Sequence, residues 1–351
     1  MKIAIIGAGI FGSTLSLILS KNKSFEIDLF EKKKDIMQMA SKYNQQRFHH
    51  GFHYPRSQNT IKEILKSKKS FEKFYGTNIF GKKKNYYGLV EKNGKTKKND
   101  FIKVLKKNKL KYSNSNHESF SKKVDFQILT DEKILNYFKL KKKIASKIKK
   151  SRVRLHLNQI FNLENYNNYD YIFVCTYYEN NKNLNYLNIK NLNNFKYELI
   201  EKQVIQLPKK YKNFSYVIID GKFLCLDPYL GTNYHLLSHV KYSKLEIKNS
   251  IFPKFKNKNL KRVGQFVKLK RNKRFIKYIN DGKAYLPFLK YSKYIGSFFG
   301  IRTIEKNKEN TDQRTNILKR HSNNIFSIYS GKWNTAVDIS LMIKKYLEKK
   351  K

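Results

Sequence analysis

The chain has 351 residues, a length that suits two domains or one domain interrupted by another. Hydrophobic residues make up 40% of the sequence and aromatic residues 15%, which is enough to bury a sizeable core and excludes a disordered chain. The net charge of +49 would ordinarily indicate nucleic acid, but only ten of the 75 basic residues are Arg and the lysines are spread over the whole chain. We therefore expect a solvated lysine surface and no specific nucleic-acid partner.

The two cysteines and the hydropathy pattern bear on the compartment. Cys175 and Cys225 lie far apart inside apolar runs, which favours a reducing cytoplasm over a disulfide framework. No apolar run reaches the length of about 18 residues that a membrane-spanning helix needs. The sequence predicts a cytoplasmic protein without a transmembrane segment, and peripheral membrane contact stays open.

The amino-terminal region predicts a strand over 2–6, a glycine-rich turn and a helix over 13–20, then a second strand over 25–30. In the turn, the first glycine allows a tight bend and the second lets backbone approach a pyrophosphate, while the third lets helix pack on strand. Glu31 ends the second strand, where its carboxylate can accept hydrogen bonds from ribose hydroxyls. These features predict a dinucleotide site without choosing between FAD and NAD.

Later segments predict further helices and a second sheet. From about residue 197, short alternating runs separated by turn signals such as Asp227-Pro228 predict an antiparallel sheet. The predicted elements are helices over 60–75 and about 132–150, strands over 153–157, 171–175, 199–207, 216–219, 223–226 and 235–240, a helix-rich stretch over 257–277, a strand over 325–329 and a helix over 336–347.

The segment 41–57 contains three of the eight histidines and two of the ten arginines. A polar surface loop would tolerate this composition, but a loop after the second strand lies at the carboxyl ends of the strands, where such folds bind ligands. His49, His50 and His53 are candidates for proton transfer because imidazole titrates near neutrality. No spacing indicates a complete metal-ligand set, so we expect no metal.

With these segments the sequence resembles the D-amino-acid oxidase superfamily of flavoenzymes, which includes glycine oxidase, glycerol-3-phosphate dehydrogenase and 2-hydroxyglutarate oxidase. The similarity lies in the glycine motif with Glu31, in 48–54, and in the closing segments 300–303 and 327–332. The similarity is greatest to a group of uncharacterised FAD-dependent oxidoreductases, some of them linked to surface-sugar gene clusters. These proteins share the His-Gly-Phe-His-Tyr-Pro-Arg-Ser run and a turn like 220–223.

The resemblance implies an α/β fold in which a discontinuous, Rossmann-like FAD-binding domain carries an inserted α+β substrate domain built on an antiparallel sheet. The implied FAD-binding segments are 1–80, 131–196 and 293–351, and the implied substrate segments are 81–130 and 197–292.

The glycine motif and the resemblance together imply which residues meet the cofactor. A helix amino terminus near Gly331 would stabilise negative charge on the reduced flavin ring. The residues expected to bind FAD are Gly7, Ala8, Gly9, Ile10, Phe11, Gly12, Glu31, Lys32, Ser41, Asn44, Gln45, Arg47, His49, His50, Gly51, Ile160, Cys175, Thr176, Gly331, Lys332, Asn334 and Thr335. The candidate catalytic residues are His49, His53, Tyr54, Arg302 and Lys332.

The expected reaction removes hydride from a C–OH or C–NH carbon of a small, anionic hydroxy acid, amino acid or sugar-derived substrate. Flavin takes the hydride, and the sequence does not identify the final electron acceptor. Arg302 follows the apolar segment 295–301, where its charge needs a partner that is either a substrate carboxylate or phosphate or a protein carboxylate. Two other functions stay open: a non-redox flavin enzyme resembling a sugar-nucleotide mutase, and a basic RNA-binding or RNA-modifying protein.

Overall fold

The computed structural model describes residues 1–307, 311, 313–314 and 316–350. The strands within these residues are β1 (Lys2–Ile6), β2 (Glu26–Glu31), β3 (Arg47–Phe48), β4 (Phe80–Gly81), β5 (Lys84–Leu89), β6 (Tyr112–Asn114), β7 (Phe126–Thr130), β8 (Lys133–Leu135), β9 (Val153–Leu157), β10 (Tyr171–Val174), β11 (Phe195–Gln206), β12 (Phe214–Ile219), β13 (Leu224–Pro228), β14 (His235–His239), β15 (Lys244–Ser250), β16 (Phe266–Val267), β17 (Lys293–Ile304), β18 (Ile317–Arg320) and β19 (Ile325–Tyr329). The helices are α1 (Ile10–Leu19), α2 (Ala40–Tyr43), α3 (Gln58–Tyr75), α4 (Lys98–Lys107), α5 (Tyr137–Lys149), α6 (Asn180–Tyr186), α7 (Asn257–Leu260), α8 (Lys273–Gly282) and α9 (Ala336–Glu348).

The first large sheet has the strand order β18-β19-β10-β1-β2-β9, parallel except for the edge strand β18. Alternate residues of β1 pack in opposite directions, as the period of a strand requires. Ile3 and Ile5 join a core with α1, α5 and α9, whereas Ala4 and Ile6 pack against the residues around Phe161 on the other face. Both faces are therefore covered, and the predicted Rossmann-like α/β fold is confirmed.

The second large sheet has the order β16-β17-β11-β14-β13-β12-β5-β7-β6, with β15 pairing with β11. Its pairs are antiparallel, except that β12 runs parallel to β5. Strand β17 pairs with β11 along nearly its whole length, so a domain boundary after residue 292 would cut this sheet. We propose to place that boundary after residue 304, and the rest of the five-segment division stays a prediction.

Three local predictions were wrong in detail. The helix expected from residue 132 begins at Tyr137, because 133–135 form β8 in a small sheet of order β3-β8-β4. Asp227 and Pro228 end strand β13 and do not form a turn, since the Asp227 carboxylate is buried. The helix-rich stretch expected over 257–277 contains α7 and the first part of α8, but β16 lies between them and α8 continues to Gly282. No helix in the described part of the chain is long and apolar enough to cross a membrane.

Candidate active site

A cavity of about 740 Å³ is lined by residues of both large sheets. Its lining includes the turn after β1, the end of β2, parts of the segment 38–54 and parts of the facing strands β11 and β17. The volume lies within the range usual for small-molecule and cofactor sites. The predicted residues that line it are Gly7, Gly9, Ile10, Phe11, Glu31, Lys32, Ser41, Asn44, Gln45, Arg47, His49, His53, Tyr54, Ile160, Cys175, Thr176, Arg302, Gly331 and Lys332.

The glycine turn joins β1 to α1 with the geometry that the sequence predicts. Gly7 has a φ of +101°, which favours glycine, and a Cβ on Gly12 would lie 1.9 Å from the Gly7 carbonyl oxygen. The Ile10 amide at the start of α1 donates a 3.0 Å hydrogen bond to the Ser41 Oγ. No acidic residue lies in the first turn of α1, so this helix terminus presents its partial positive charge to the cavity without a carboxylate in that turn.

Glu31 ends β2 at the cavity and is held by two backbone amides. The Ala8 amide donates to its Oε2 and the Lys33 amide to its Oε1, each at 3.0 Å. Burial raises the pKa of Glu31, with these amides and Lys32 opposing the rise. The Lys32 Nζ lies 2.5 Å from a Glu179 carboxylate oxygen, which ties this end of the cavity to the segment after β10.

A buried ionic cluster lies beneath the histidine-rich segment. Arg47 is 2% exposed, and its guanidinium contacts Glu132 at 2.7 Å and also the carboxylate of Asp227. Burial would raise the pKa of Glu132, but Arg47 and the neighbouring histidines hold that pKa well below its usual range. Burial raises the pKa of Asp227, which also accepts a 2.6 Å hydrogen bond from Ser215. This cluster fixes Arg47, within the histidine-rich segment 41–57, against β12 and β13.

His49, His53 and Tyr54 form a compact group of rings at the cavity wall. The ring centroids lie 5.2 to 5.3 Å apart in all three pairs. Burial lowers the pKa of His49 to about 4 and that of His53 well below its usual range, so both imidazoles are neutral at pH 7. The buried Lys332 donates a hydrogen bond to the Tyr54 hydroxyl, and its Nζ lies 3.6 Å from the centre of that ring.

Six predicted cofactor residues do not line the cavity. The His50 amide donates a 2.8 Å hydrogen bond to Glu132, and the Asn334 side chain donates one of 2.9 Å to the His49 carbonyl. These two residues position the histidine-rich segment from behind. The six are Ala8, Gly12, His50, Gly51, Asn334 and Thr335.

Arg302 lines the cavity but is engaged by a protein carboxylate. Its Nε donates a 2.9 Å hydrogen bond to Glu198, which is 1% exposed and also lies 3.1 Å from Lys244. Burial would raise the pKa of Glu198, and the two basic side chains outweigh that effect and lower it. Of the two kinds of partner expected for Arg302, a substrate anion or a protein carboxylate, the structure has the protein carboxylate.

Sequence reasoning missed Lys202, which lies on β11 and lines the cavity. Two apolar residues precede 201–203 and two follow it, so three consecutive polar residues stand between Ile200 and Val204. That interruption is the signal that could have singled out Lys202 among the lysines, because a central strand carries buried polar residues only at a cost.

The cavity wall has features that protein packing does not explain. A Cβ on Gly9 or Gly300 would meet only ordinary van der Waals contacts, and one on Gly331 would meet nothing within 4 Å. Buried polar atoms on the same wall, the Gln45 Oε1 and the Nδ1 atoms of His49 and His53, have no hydrogen-bond partner among the described residues. An elongated polar cofactor lying against this wall would account for both features. No cluster of three or more side chains suited to a metal occurs in the described ranges.

Comparisons with known proteins agree with this geometry. Residues 5–67 match the model of an NAD(P)-binding Rossmann-like domain. Over its length the chain is similar to glycine oxidase from Geobacillus kaustophilus, at a TM-score of 0.69 and 11% identity over 99% of this chain and 94% of that one. It has the glycine oxidase fold.

Two further structures share the glycine oxidase fold with the chain. The FAD-bound L-alpha-glycerophosphate oxidase from Mycoplasma pneumoniae aligns at a TM-score of 0.72 and 15% identity, covering 97% of this chain and 92% of that one. The L-proline dehydrogenase from P. horikoshii aligns at a TM-score of 0.69 and 13% identity, covering 100% of this chain and 94% of that one. A search of curated protein sequences gives no match. These alignments confirm the predicted α/β fold over the length of the chain.

Proposed function

We propose that the protein is an FAD-dependent oxidoreductase that removes hydride from a C–OH or C–NH carbon of a small anionic substrate. The observation that carries the proposal is the cavity, because one space joins a dinucleotide-type glycine turn to basic side chains on the facing sheet. A cofactor placed along that space would have its phosphates at α1 and its reactive ring near His49 and Lys332.

Several features favour FAD as the occupant. Glu31 is suited to the ribose at one end, and Gly9, Gly300 and Gly331 leave room for close approach of a ligand along the wall. The glycerophosphate oxidase that shares the fold has FAD bound. When bound, FAD supplies the ring that accepts hydride from the substrate carbon.

The protein's own part in the reaction would be to orient the substrate and receive its proton. His49 and His53 are neutral near pH 7, so either imidazole has a lone pair that can accept a proton from a substrate hydroxyl or amine. Their pKa values do not lie near neutrality as the sequence suggests, so in this cavity each is a weaker base than a free imidazole. Tyr54 and Lys332 are buried, which limits water at this wall. The Arg47 cluster packs against the His49 imidazole, because its carboxylate Glu132 lies 3.5 Å from the His49 Nδ1 without the geometry of a hydrogen bond.

The test is anaerobic reduction of the protein-bound flavin by a panel of 2-hydroxy acids, amino acids and polyol phosphates. We expect at least one compound to bleach the flavin absorbance in a single-exponential phase. The variant His53→Asn should slow that phase by about 100-fold or more, the usual weight of a general base, while keeping FAD bound. Variant and wild-type proteins that reduce at the same rate would remove His53 from the proposed mechanism.

A further inference from the structure

Lys202 is a buried cation whose charge the protein itself does not neutralise. Its residue is 6% exposed, and its side chain lines the cavity from the middle of β11. Across the described residues, its ammonium group forms neither a hydrogen bond nor an ion pair within 4.0 Å. A buried lysine is costly without an anionic partner.

Two buried acidic side chains of the same sheet, Asp227 and Glu198, are already paired with other cations. Asp227 is held by Arg47 and by the Ser215 hydroxyl. Glu198 is held by Arg302 and Lys244. The position of Lys202 is therefore not explained by an internal ion pair.

A hydroxyl lies beside Lys202 on the same sheet face. Strand β11 pairs with β14 as far as Gln203 opposite Leu237, and the residue that follows this pair on each side, Lys202 and Ser238, lines the cavity. Ser238 pairs in turn with Cys225 on β13, and all three side chains line the cavity. The Ser238 hydroxyl makes no hydrogen bond to another residue in the described ranges. Lys202 and Ser238 thus present one ammonium donor and one hydroxyl donor to the cavity.

We propose that Lys202 and Ser238 bind the anionic group of the substrate, a carboxylate or a phosphate. This inference rests on the proposed function and assigns its substrate anchor to a residue pair on β11 and β14. An ammonium is a compact charge with three donors, so it suits either anion without the fork geometry of arginine. Arg302, whose Nε and Nη2 both contact Glu198, would then position β17 and not hold the substrate.

The proposal has a consequence for pH. Burial lowers the pKa of Lys202 to about 7, with Asp227 and Cys225 opposing that change and Arg302 adding to it. A bound anion stabilises the protonated lysine and raises its pKa, so binding above pH 7 takes up a proton. The affinity for benzoate, which stays ionised over this range, should therefore fall about tenfold per pH unit above pH 7. The neutral cavity histidines His49 and His53 do not titrate in that range.

The test measures binding of benzoate and of inorganic phosphate to the FAD-loaded protein by titration calorimetry between pH 6 and 9. The variants are Lys202→Met, Lys202→Arg and Ser238→Ala, and the matched control is Lys244→Met. Lys244 lines the same cavity but is paired with Glu198. The comparison of the two anions tells whether the site takes a carboxylate or a phosphate.

We expect at least one anion to bind the wild type and to lose about 10- to 100-fold in affinity in Lys202→Met at pH 6.5. Ser238→Ala should bind that anion about two- to tenfold more weakly than the wild type, and Lys244→Met should bind it almost as tightly. Lys202→Arg should keep its affinity for the anion above pH 7. Equal binding by Lys202→Met and wild type, or binding of neither anion by the wild type, would overturn the anchor. FAD content is measured in each sample, so a protein without FAD contradicts the proposed function instead.

Discussion

Arg302 and Glu198 lie directly opposite each other on β17 and β11, and the Arg302 Nε donates a 2.9 Å hydrogen bond to the Glu198 carboxylate. Because Glu198 also has Lys244 as a partner and the Arg302 side chain is 42% exposed, Arg302→Met should cost no more than about 1 kcal/mol in stability. Flavin content should be unchanged and benzoate affinity should change less than about threefold. A loss of affinity as large as that of Lys202→Met would show that Arg302 is itself a substrate clamp.

Gly9 and Gly12 should respond differently to the same substitution. A Cβ on Gly9 meets only the Ser41 Oγ at 3.5 Å, so Gly9→Ala should fold with a melting temperature close to wild type and lose FAD affinity by about tenfold or more. A Cβ on Gly12 would lie 1.9 Å from the Gly7 carbonyl oxygen, so Gly12→Ala should be strongly destabilised. Thermal unfolding and FAD titration of both variants check this. A Gly9→Ala protein with full FAD affinity would place the phosphates elsewhere.

Removal of Arg47 should destabilise the whole protein. Arg47→Met leaves the buried carboxylates Glu132 and Asp227 without their cation, which typically costs about 3 to 5 kcal/mol. The exposed pair of Lys97 and Glu91 provides the control, and Lys97→Met should leave stability unchanged. Denaturant titration followed by circular dichroism measures both. Similar midpoints for the two variants would mean that the cluster contributes little to stability.

The buried His235 should contribute to loss of stability in acid. Burial lowers its pKa to about 4, whereas an unfolded histidine titrates near 6.5. The unfolded state therefore binds the proton first, and the free energy of unfolding falls as pH decreases from about 6.5 to about 4, by up to about 3 kcal/mol for this residue. His235→Leu should flatten the acid limb of stability against pH. An acid limb of unchanged slope would be inconsistent with this assignment.

The fold could be predicted mainly where its signals are local. The strand, turn and helix over 2–19 are specified by adjacent residues, since a glycine spacing and an apolar period need no knowledge of distant contacts. The parallel pairing of β12 with β5 was not predictable in this way, because it joins segments more than 120 residues apart.

The candidate site depends more on contacts between distant segments. Arg47 meets Glu132 and Asp227 across 85 and 180 residues, so no local pattern connects them. Lys202 is one lysine among many in composition, and only the topology brings it to the cavity. The composition of the histidine-rich segment is itself unusual, which is why the sequence draws attention to His49 and His53 and not to Lys202.

The central claim, that the cavity holds FAD, is tested most directly by the flavin content of the protein. The absorbance spectrum of the purified protein should have the oxidised flavin bands, and denaturation should release about one FAD per chain, identified by mass spectrometry. If the protein is purified without cofactor, added FAD should restore the spectrum and raise the melting temperature, and NAD should do neither. A stable, folded protein that is colourless and does not bind added FAD would contradict the account.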